Sequence, residues 1–403
     1  MPRVFGLTGQ GGSRSTAARL FWLLLFVLAG ALELAHSATL APVKPVQDEN
    51  DESYLARGSL VAPDQLRQLK VQLVGDRELF RQSQATALVE SALKEVSAEF
   101  ERLFSLSLVS VGWSSWETDG REDHVQELAE TPSLSAKDRR AEIVLAVTGR
   151  SNLKPEYSGS ALLKSSLVAI IFTPDEKKLC RLIKHELGHI FGAVHVPEPE
   201  SVMSCFGAGD NFDRYNLEII KLARERSFEP SVFPFPPEVQ ASVEKVYLQI
   251  REKILSNSRL KSLFSASTTA EAGQEIQCLN DVFLMLAQLE LEKSNYDRSL
   301  SFTEEALTLN PGDLEAMNLQ AISLRQAGRI QEAVSIYNLI LQIRPDFSEA
   351  LYNLGVALGE LGQLEEAEKV YLRAIRANPE LASAYNNLGD LYLKQGRLDE
   401  AEK

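Results

Sequence analysis

The 403-residue sequence predicts two folds in series: an α+β domain with five strands, one long crossing helix and one site-bearing helix, then an all-α solenoid. Three observations carry that reading. Short apolar runs, alternating or continuous, flank an amphipathic helical pattern as far as Phe172. A helix-start signature then precedes the cluster His185-Glu186-Leu187-Gly188-His189-Ile190-Phe191-Gly192-Ala193-Val194-His195. From residue 280 the chain repeats itself at a spacing of 34, marked by Pro311, Pro345 and Pro379.

Residues 1–37 have the form of a secretory leader. Arg3, Arg14 and Arg19 accompany an apolar run from Leu20 to Leu32, and small residues at Ala35 and Ser37 precede a cleavage point. The run is 13 residues long, short of the roughly 20 a membrane span needs. A secreted or periplasmic protein without stable membrane insertion is expected, with an uncleaved anchor as the alternative. No cysteine follows the run, so a lipid anchor has no support. Residues 38–62, rich in Pro, Asp, Glu and Ser, are expected to form a linker or short pro-segment.

The α+β domain is expected over residues 63–229. From Gln68, Leu69, Val71 and Leu73 alternate with polar residues, the period of a half-buried strand, and Gly75 ends it. Val89, Leu93, Val96, Phe100 and Leu103 recur at three and four residues, which predicts a helix of about five turns lying across the sheet. Further strands are expected at Leu106–Trp113, Glu142–Thr148, Gly159–Leu163 and Leu167–Phe172. The last is apolar throughout and is expected at the centre. Thr173-Pro174-Asp175-Glu176 then signals a helix start: a threonine N-cap, proline at the first position and a glutamate able to close a capping box.

On that helix, residues four apart are offset by only about 40° after a full turn, so His185 and His189 project side by side and can share one zinc ion. Gly192 tolerates the positive φ of a sharp turn, which brings His195 back as a third ligand. Three protein ligands leave the fourth position to water, the arrangement of a catalytic zinc site. Glu186, next to the pair, is placed to act as general base on that water.

With Ser201-Val202-Met203-Ser204 following, this stretch resembles the metzincin metallopeptidases, whose HExxHxxGxxH pattern it satisfies at every fixed position. The resemblance implies a mixed five-stranded sheet and the metal ligands His185, His189 and His195 on Zn2+, with Glu186 catalytic. It also implies that the Gly159–Leu163 edge strand pairs with an extended peptide substrate by β-augmentation. Met203, eight residues after His195, a separation similar to the matrixin branch, would form the apolar floor of a Met-turn without touching the metal. The sequence also departs from the family. Val196-Pro197 fits no branch signature, so no branch is assigned. Cys205 stands where some branches carry a tyrosine, so no tyrosine switch on the metal is expected. Residues 38–62 have no cysteine to act as a latency switch.

Asp213 to Arg226 is the expected closing helix. Residues 230–279 read as a proline-rich linker and a connecting helix. Phe233 and Phe235 can pack back on the preceding domain, Val239–Leu255 forms the helix, and Ser265–Ala272 forms a flexible joint. Three cysteines cannot all pair within one chain. Cys180 with Cys205 is the best candidate disulfide, tying the Met-turn to the zinc helix; two buried thiols, with Cys278 as a small hydrophobe, are the alternative. His36 and His124 fall in the leader and a polar loop and invite no role.

Residues 280–403 align Ala333 with Ala367 and Ala401, Tyr337 with Tyr371, Leu354 with Leu388, and Gly355 with Gly389. This resembles the tetratricopeptide repeat (TPR), a helix-turn-helix unit whose small residues permit close packing. The first copy is degenerate, with Ser299 in place of alanine. The last is incomplete by about ten residues, so a truncated sequence is expected.

The composition, 44% hydrophobic and 24% charged, suits a soluble protein with real cores. Net charge is −14, and removing the leader, which carries +2, leaves −16. Such an acidic surface argues against nucleic acid or an anionic membrane as partner. The expected function is a secreted zinc endopeptidase whose repeats hold a protein substrate or partner on their concave face. The alternative is a non-catalytic TPR scaffold or assembly protein carrying a degenerate zinc domain. The intact Glu186 weighs against it.

Overall fold

The computed structural model of the chain describes residues 65–116, 141–150, 153, 159–162, 166–204, 209–228, 235–256, 270–379 and 381–401. The leader at 1–37, the linker at 38–62, His36, His124, Cys205 and Phe233 lie outside these. Among the described residues, no helix is long and apolar enough to cross a membrane.

The strand predicted from Gln68 is β1 (Arg67–Asp76), which buries Leu69, Val71 and Leu73 as expected; it is not buried on one face alone, because Gln72, Val74 and Asp76 are buried too and both faces are covered from Val71 on. Asp76 ends it and caps the short helix α1 (Arg77–Phe80), accepting from the Leu79 N–H at 2.8 Å. The amphipathic pattern becomes α2 (Ala85–Phe104), burying Val89, Leu93, Val96, Phe100 and Phe104. Strands β2 (Leu106–Trp116), β3 (Ile143–Thr148), β4 (Gly159–Leu162) and β5 (Leu167–Ile171) follow. They form one mixed five-stranded sheet in the order β2-β1-β3-β5-β4, with β4 antiparallel to β5 and all other pairs parallel.

The expected edge strand is thus at the edge, but β5 is not central: β3 is, and β5 lies between β3 and β4. The reason is burial on two faces. Val168 and Ile170 join the main core, while Leu167 and Ala169 pack on the other face with Val74, Trp116 and Ala146. A continuous apolar run reports that both faces are covered and says nothing of rank in the sheet.

Helix α3 (Glu176–Ile190) begins at Asp175 and not at Thr173. The Asp175 carboxylate accepts from the Lys178 N–H at 3.1 Å, and the Thr173 hydroxyl accepts from the Asp175 N–H at 3.4 Å. Aspartate caps better than threonine, so the start moves two residues on. Helix α4 (Arg214–Leu222) is capped by Asp213, which accepts from the Tyr215 and Asn216 N–H groups, both at 3.0 Å.

The segment read as linker and connecting helix is built into the main core. Helix α5 (Pro237–Ser256) buries Val243, Val246, Tyr247, Ile250 and Ile254. The next helix, α6 (Ala270–Glu292), contributes Cys278, Leu279, Val282, Phe283 and Leu286 to the same apolar cluster as β1, α2 and α3. The expected joint lies outside the described residues except at its end, where α6 begins. Ion pairs add to the α5–α6 contact: Glu244 of α5 and the buried Glu290 of α6 share Lys293 and Arg298.

The solenoid continues through α7 (Tyr296–Leu309), α8 (Leu314–Gln326), α9 (Ile330–Ile343), α10 (Ser348–Glu360), α11 (Leu364–Ala377), α12 (Ala382–Lys394) and α13 (Leu398–Ala401). Pro311, Pro345 and Pro379 follow the ends of α7, α9 and α11, as their spacing predicts. Within the last three hairpins the turn is made by Gly328, Gly362 and Gly396, with φ of 81°, 74° and 74°, a conformation a Cβ disfavours; in the first it is made by Ser294, at φ 60°. Ser299 of the degenerate copy is buried but satisfied, donating to the Ala287 carbonyl at 2.8 Å with the Ser323 hydroxyl also at 2.8 Å.

The expected Cys180–Cys205 disulfide is not formed: Cys180 is a free, buried thiol, and Cys278 is disulfide-bonded. Cys180 and His185 differ by about 140° around the helix. The thiol therefore faces α2, at 3.8 Å from the Ala92 carbonyl, while Val202 lies on the His185 side. Burial, with Glu95 next, pushes Cys180 up to about 12. Thiol-labelling of the unreduced native protein is accordingly expected to give no reaction, and unfolding without reductant to release one reactive thiol, Cys180. Peptide mapping of the same sample is expected to find Cys278 in a disulfide and Cys180 unpaired; a map joining Cys180 to another cysteine would contradict this arrangement.

Candidate metal centre

Leu179, Ile183, Leu187 and Ile190 recur at three and four residues and bury one face of α3 in the core. That fixes the rotation of the helix and places His185 and His189 on a neighbouring face. The chain leaves the helix through Gly192, whose φ of +84° makes the turn and where a Cβ would collide with the Phe235 ring. The Tyr247 hydroxyl donates to the Gly192 carbonyl at 2.7 Å. Arg226, buried, donates to the Ile190 carbonyl, setting a positive charge at the negative end of the helix.

His195 is returned by this turn to the other two histidines. One nitrogen of each ring faces outward to an acceptor. His185 Nδ1 lies 2.7 Å from the Val202 carbonyl, His189 Nδ1 2.8 Å from the Ala193 carbonyl, and His195 Nδ1 2.5 Å from Asp281 Oδ2. Each Nδ1 must carry a hydrogen to meet its acceptor, which leaves Nε2 as the free ligand nitrogen. The Nε2 of His185 is 3.2 Å from that of His189 and 3.2 Å from that of His195. Tetrahedral ligands at 2.0–2.1 Å from a zinc ion stand about 3.3 Å apart. The three nitrogens therefore fit such an ion, and they are the group among the described residues that could hold a metal.

Protonation favours that use for two of the three. Burial pulls His185 down to about 4, with His195 adding to the effect against the Val202 carbonyl. Burial pulls His189 well below its ordinary value, and its two histidine neighbours act the same way. For His195 burial also pulls down, but the charge and hydrogen bond of Asp281, with Glu186, outweigh it and leave the ring raised. Glu186 is buried at 4% exposure, and that burial pushes it up to about 8 against the pull of His195.

The return strand is clamped from α4. Asn216, fully buried, donates to the Val194 carbonyl at 3.0 Å and accepts from the Val194 N–H at 2.9 Å. The Val196 N–H donates to the Met203 carbonyl at 3.0 Å, and Ser201 donates to Asp213 at 2.7 Å. Met203 is completely buried under α3, where a Cβ on Gly188 would stand 2.7 Å from its sulfur. The structure thus brings the predicted ligands His185, His189 and His195 together, with Glu186 next to His185 on the same helix. It adds Asp281, Asn216 and Tyr247, which sequence reasoning missed. Asn216 and Tyr247 fall inside helical patterns where nothing local separates a clamp from a surface residue. Asp281 is 86 positions from its partner.

Family models match the C-terminal region only as TPRs: residues 284–346 and 336–369 match "Tetratricopeptide repeat" and 358–396 match "TPR repeat". This region therefore contains TPR repeats. No peptidase family model matches, and no curated protein does. Among solved structures the chain is similar to MamA (16% identity, TM-score 0.33, covering 41% of this chain and 85% of that one). It is also similar to MamA from Desulfovibrio magneticus RS-1 (17%, 0.30, 40% and 89%) and to the first TPR domain of human RPAP3 (20%, 0.28, 30% and 94%).

Asn216→Ala strips the buried Val194 N–H and carbonyl of their partners at once. A loss of at least about 1–3 kcal/mol in urea-unfolding stability is expected; a change under about 0.5 kcal/mol, the size of a surface substitution, would show that the clamp carries no weight.

Proposed function

We propose that the chain is a zinc-dependent endopeptidase whose TPR repeats recruit a protein substrate or partner. The observation that carries this is the convergence of three Nε2 atoms, that of His185 standing 3.2 Å from each of the other two, beside a buried carboxylate one residue along the same helix. His185, His189 and His195 would hold the ion. Bound zinc would polarise a peptide carbonyl and lower the pKa of a coordinated water. Glu186, made a stronger base by burial, takes the proton of the attacking water and delivers it to the leaving amine. Gly159–Leu162, at the sheet edge, would pair with the substrate backbone. The resemblance to metzincins supports the same roles, and the form of residues 1–37 supports a secreted or periplasmic setting.

A second reading, a protein-interaction scaffold, is favoured by a different observation: every family match falls within residues 284–396. Solenoids of this kind present an extended concave surface to protein or peptide partners, so the repeats support such a partner under either reading. The comparisons favour the scaffold, and the geometry of the histidines favours the enzyme.

Zinc content and cleavage of a labelled, unfolded protein by the full chain, with and without chelator, separate them. The enzyme requires about one zinc per chain and chelator-sensitive cleavage, whereas a zinc-loaded but inert protein would leave the scaffold. Glu186→Gln is expected to keep its zinc and lose roughly 10²–10⁴-fold in kcat/KM; full activity would remove Glu186 as the base. Because a proton on His195 competes with the metal, zinc affinity should weaken as pH falls through the raised range of that ring, while His185, at about 4, stays unprotonated. A flat profile from about pH 8 to 5 would be inconsistent with His195 as a ligand.

A further inference from the structure

His185 and His189 are oriented by backbone carbonyls of the loop that follows their own helix, whereas His195 is oriented by a side chain from the repeat region. From this difference we infer that Asp281 is a positioning residue of the metal centre: its carboxylate holds the His195 ring with Nε2 inward, so the first helix of the repeat region completes the site. The inference rests on the reading of the three histidines as metal ligands.

The geometry is specific. Asp281 Oδ2 is 2.5 Å from His195 Nδ1, and both side chains are largely buried, at 20% and 25% exposure. The other oxygen, Oδ1, accepts from Gln277 Nε2 at 2.8 Å, so the carboxylate is held from its own helix while it holds the ring. Helix α6 cannot drift from the site, because Leu279 and Val282 beside Asp281 lie in the same core as α3. Cys278, one turn earlier, is disulfide-bonded. His195 itself follows a turn and belongs to no helix. Its backbone is held on either side, Val194 by Asn216 and Val196 by the Met203 carbonyl, so what is left to set is the rotation of the ring. A charged acceptor is about twice as strong as a neutral one, and it stands at the one of the three histidines that lies outside α3. Removing such a partner of a metal-bound histidine lowers metal affinity by about 10–100-fold.

The test measures zinc affinity of the full chain by chelator competition, with the visible spectrum of the cobalt-loaded protein as a second readout of ligand geometry. Asp281→Ala is expected to weaken zinc binding about 10–100-fold and to alter the cobalt spectrum, with Asp281→Asn intermediate and Asp281→Glu partly restoring both. In a His195→Ala background Asp281→Ala should have no further effect on affinity, because the ring through which it acts is gone. A residue that merely stabilised the fold would weaken binding equally in both backgrounds, and that result would overturn the proposal. So would wild-type affinity and spectrum in Asp281→Ala while His195→Ala loses zinc, and there the metal reading would stand. If wild-type protein and the three His→Ala variants all fail to take up zinc, the metal reading falls and this inference with it. Should Asp281→Ala not fold, the nearly isosteric Asp281→Asn carries the same comparison.

Discussion

Nitrogen lone pairs held about 3 Å apart repel one another unless a proton or a cation lies between them, and the surroundings of His185, His189 and His195 are arranged to keep that proximity. Each ring is prevented from turning away by an acceptor on its outer nitrogen. The acceptors come from three places: Val202 in the segment before α4, Ala193 in the turn after α3, and Asp281 on α6. Each place is itself fixed. Val202 receives its strand contacts beside the Asp213 cap of α4, Ala193 follows a glycine wedged against Phe235 and Tyr247, and α6 packs in the main core.

This arrangement accounts for why the main apolar core does not end with the sheet domain. A histidine cluster on α3 needs support on the side away from the sheet, and α5 and α6 provide it with Tyr247, Ile250, Leu279 and Val282. Phe235, just before α5, is buried at 1% exposure behind the Gly192 turn. Shared pairs between Glu244, Glu290, Lys293 and Arg298 then connect α5 to the first repeat. Only Glu290 of this group is fully buried, so the others contribute modestly and the apolar contacts carry most of the stability.

What the sequence made legible is what depends on local spacing. The offset of His185 and His189, the glycine turn and the 34-residue period all follow from geometry within a few residues or a fixed repeat. The same period runs through the turn glycines Gly328, Gly362 and Gly396. What was not legible depends on which surfaces meet. The cap at Asp175 was decided by competition between two capping residues, Thr173 and Asp175, on either side of Pro174. The position of β5 in the sheet depends on its partners, which its own apolar run does not encode. The bonding of Cys278 and the placement of Asp281 depend on α6 folding back across the site, and no local pattern announces a return of 86 residues.

The same geometry bears on whether the cluster is a relic held for structural reasons. An ion pair between a protonated His195 and Asp281 would be a sufficient structural clamp, and the raised protonation range of that ring is consistent with one. Its second N–H could then donate to His185 Nε2, satisfying one of the two 3.2 Å contacts. It cannot satisfy the other. His185 and His189 both place their Nδ1 hydrogen on a carbonyl, and burial holds both rings neutral, so their Nε2 atoms meet lone pair to lone pair. A buried acceptor without a donor costs about 1–3 kcal/mol, and a single ring rotation or a substitution at His189 would relieve it. Keeping His189 turned inward is therefore unfavourable for a clamp, whereas a cation among the three rings, as proposed, would relieve the contact.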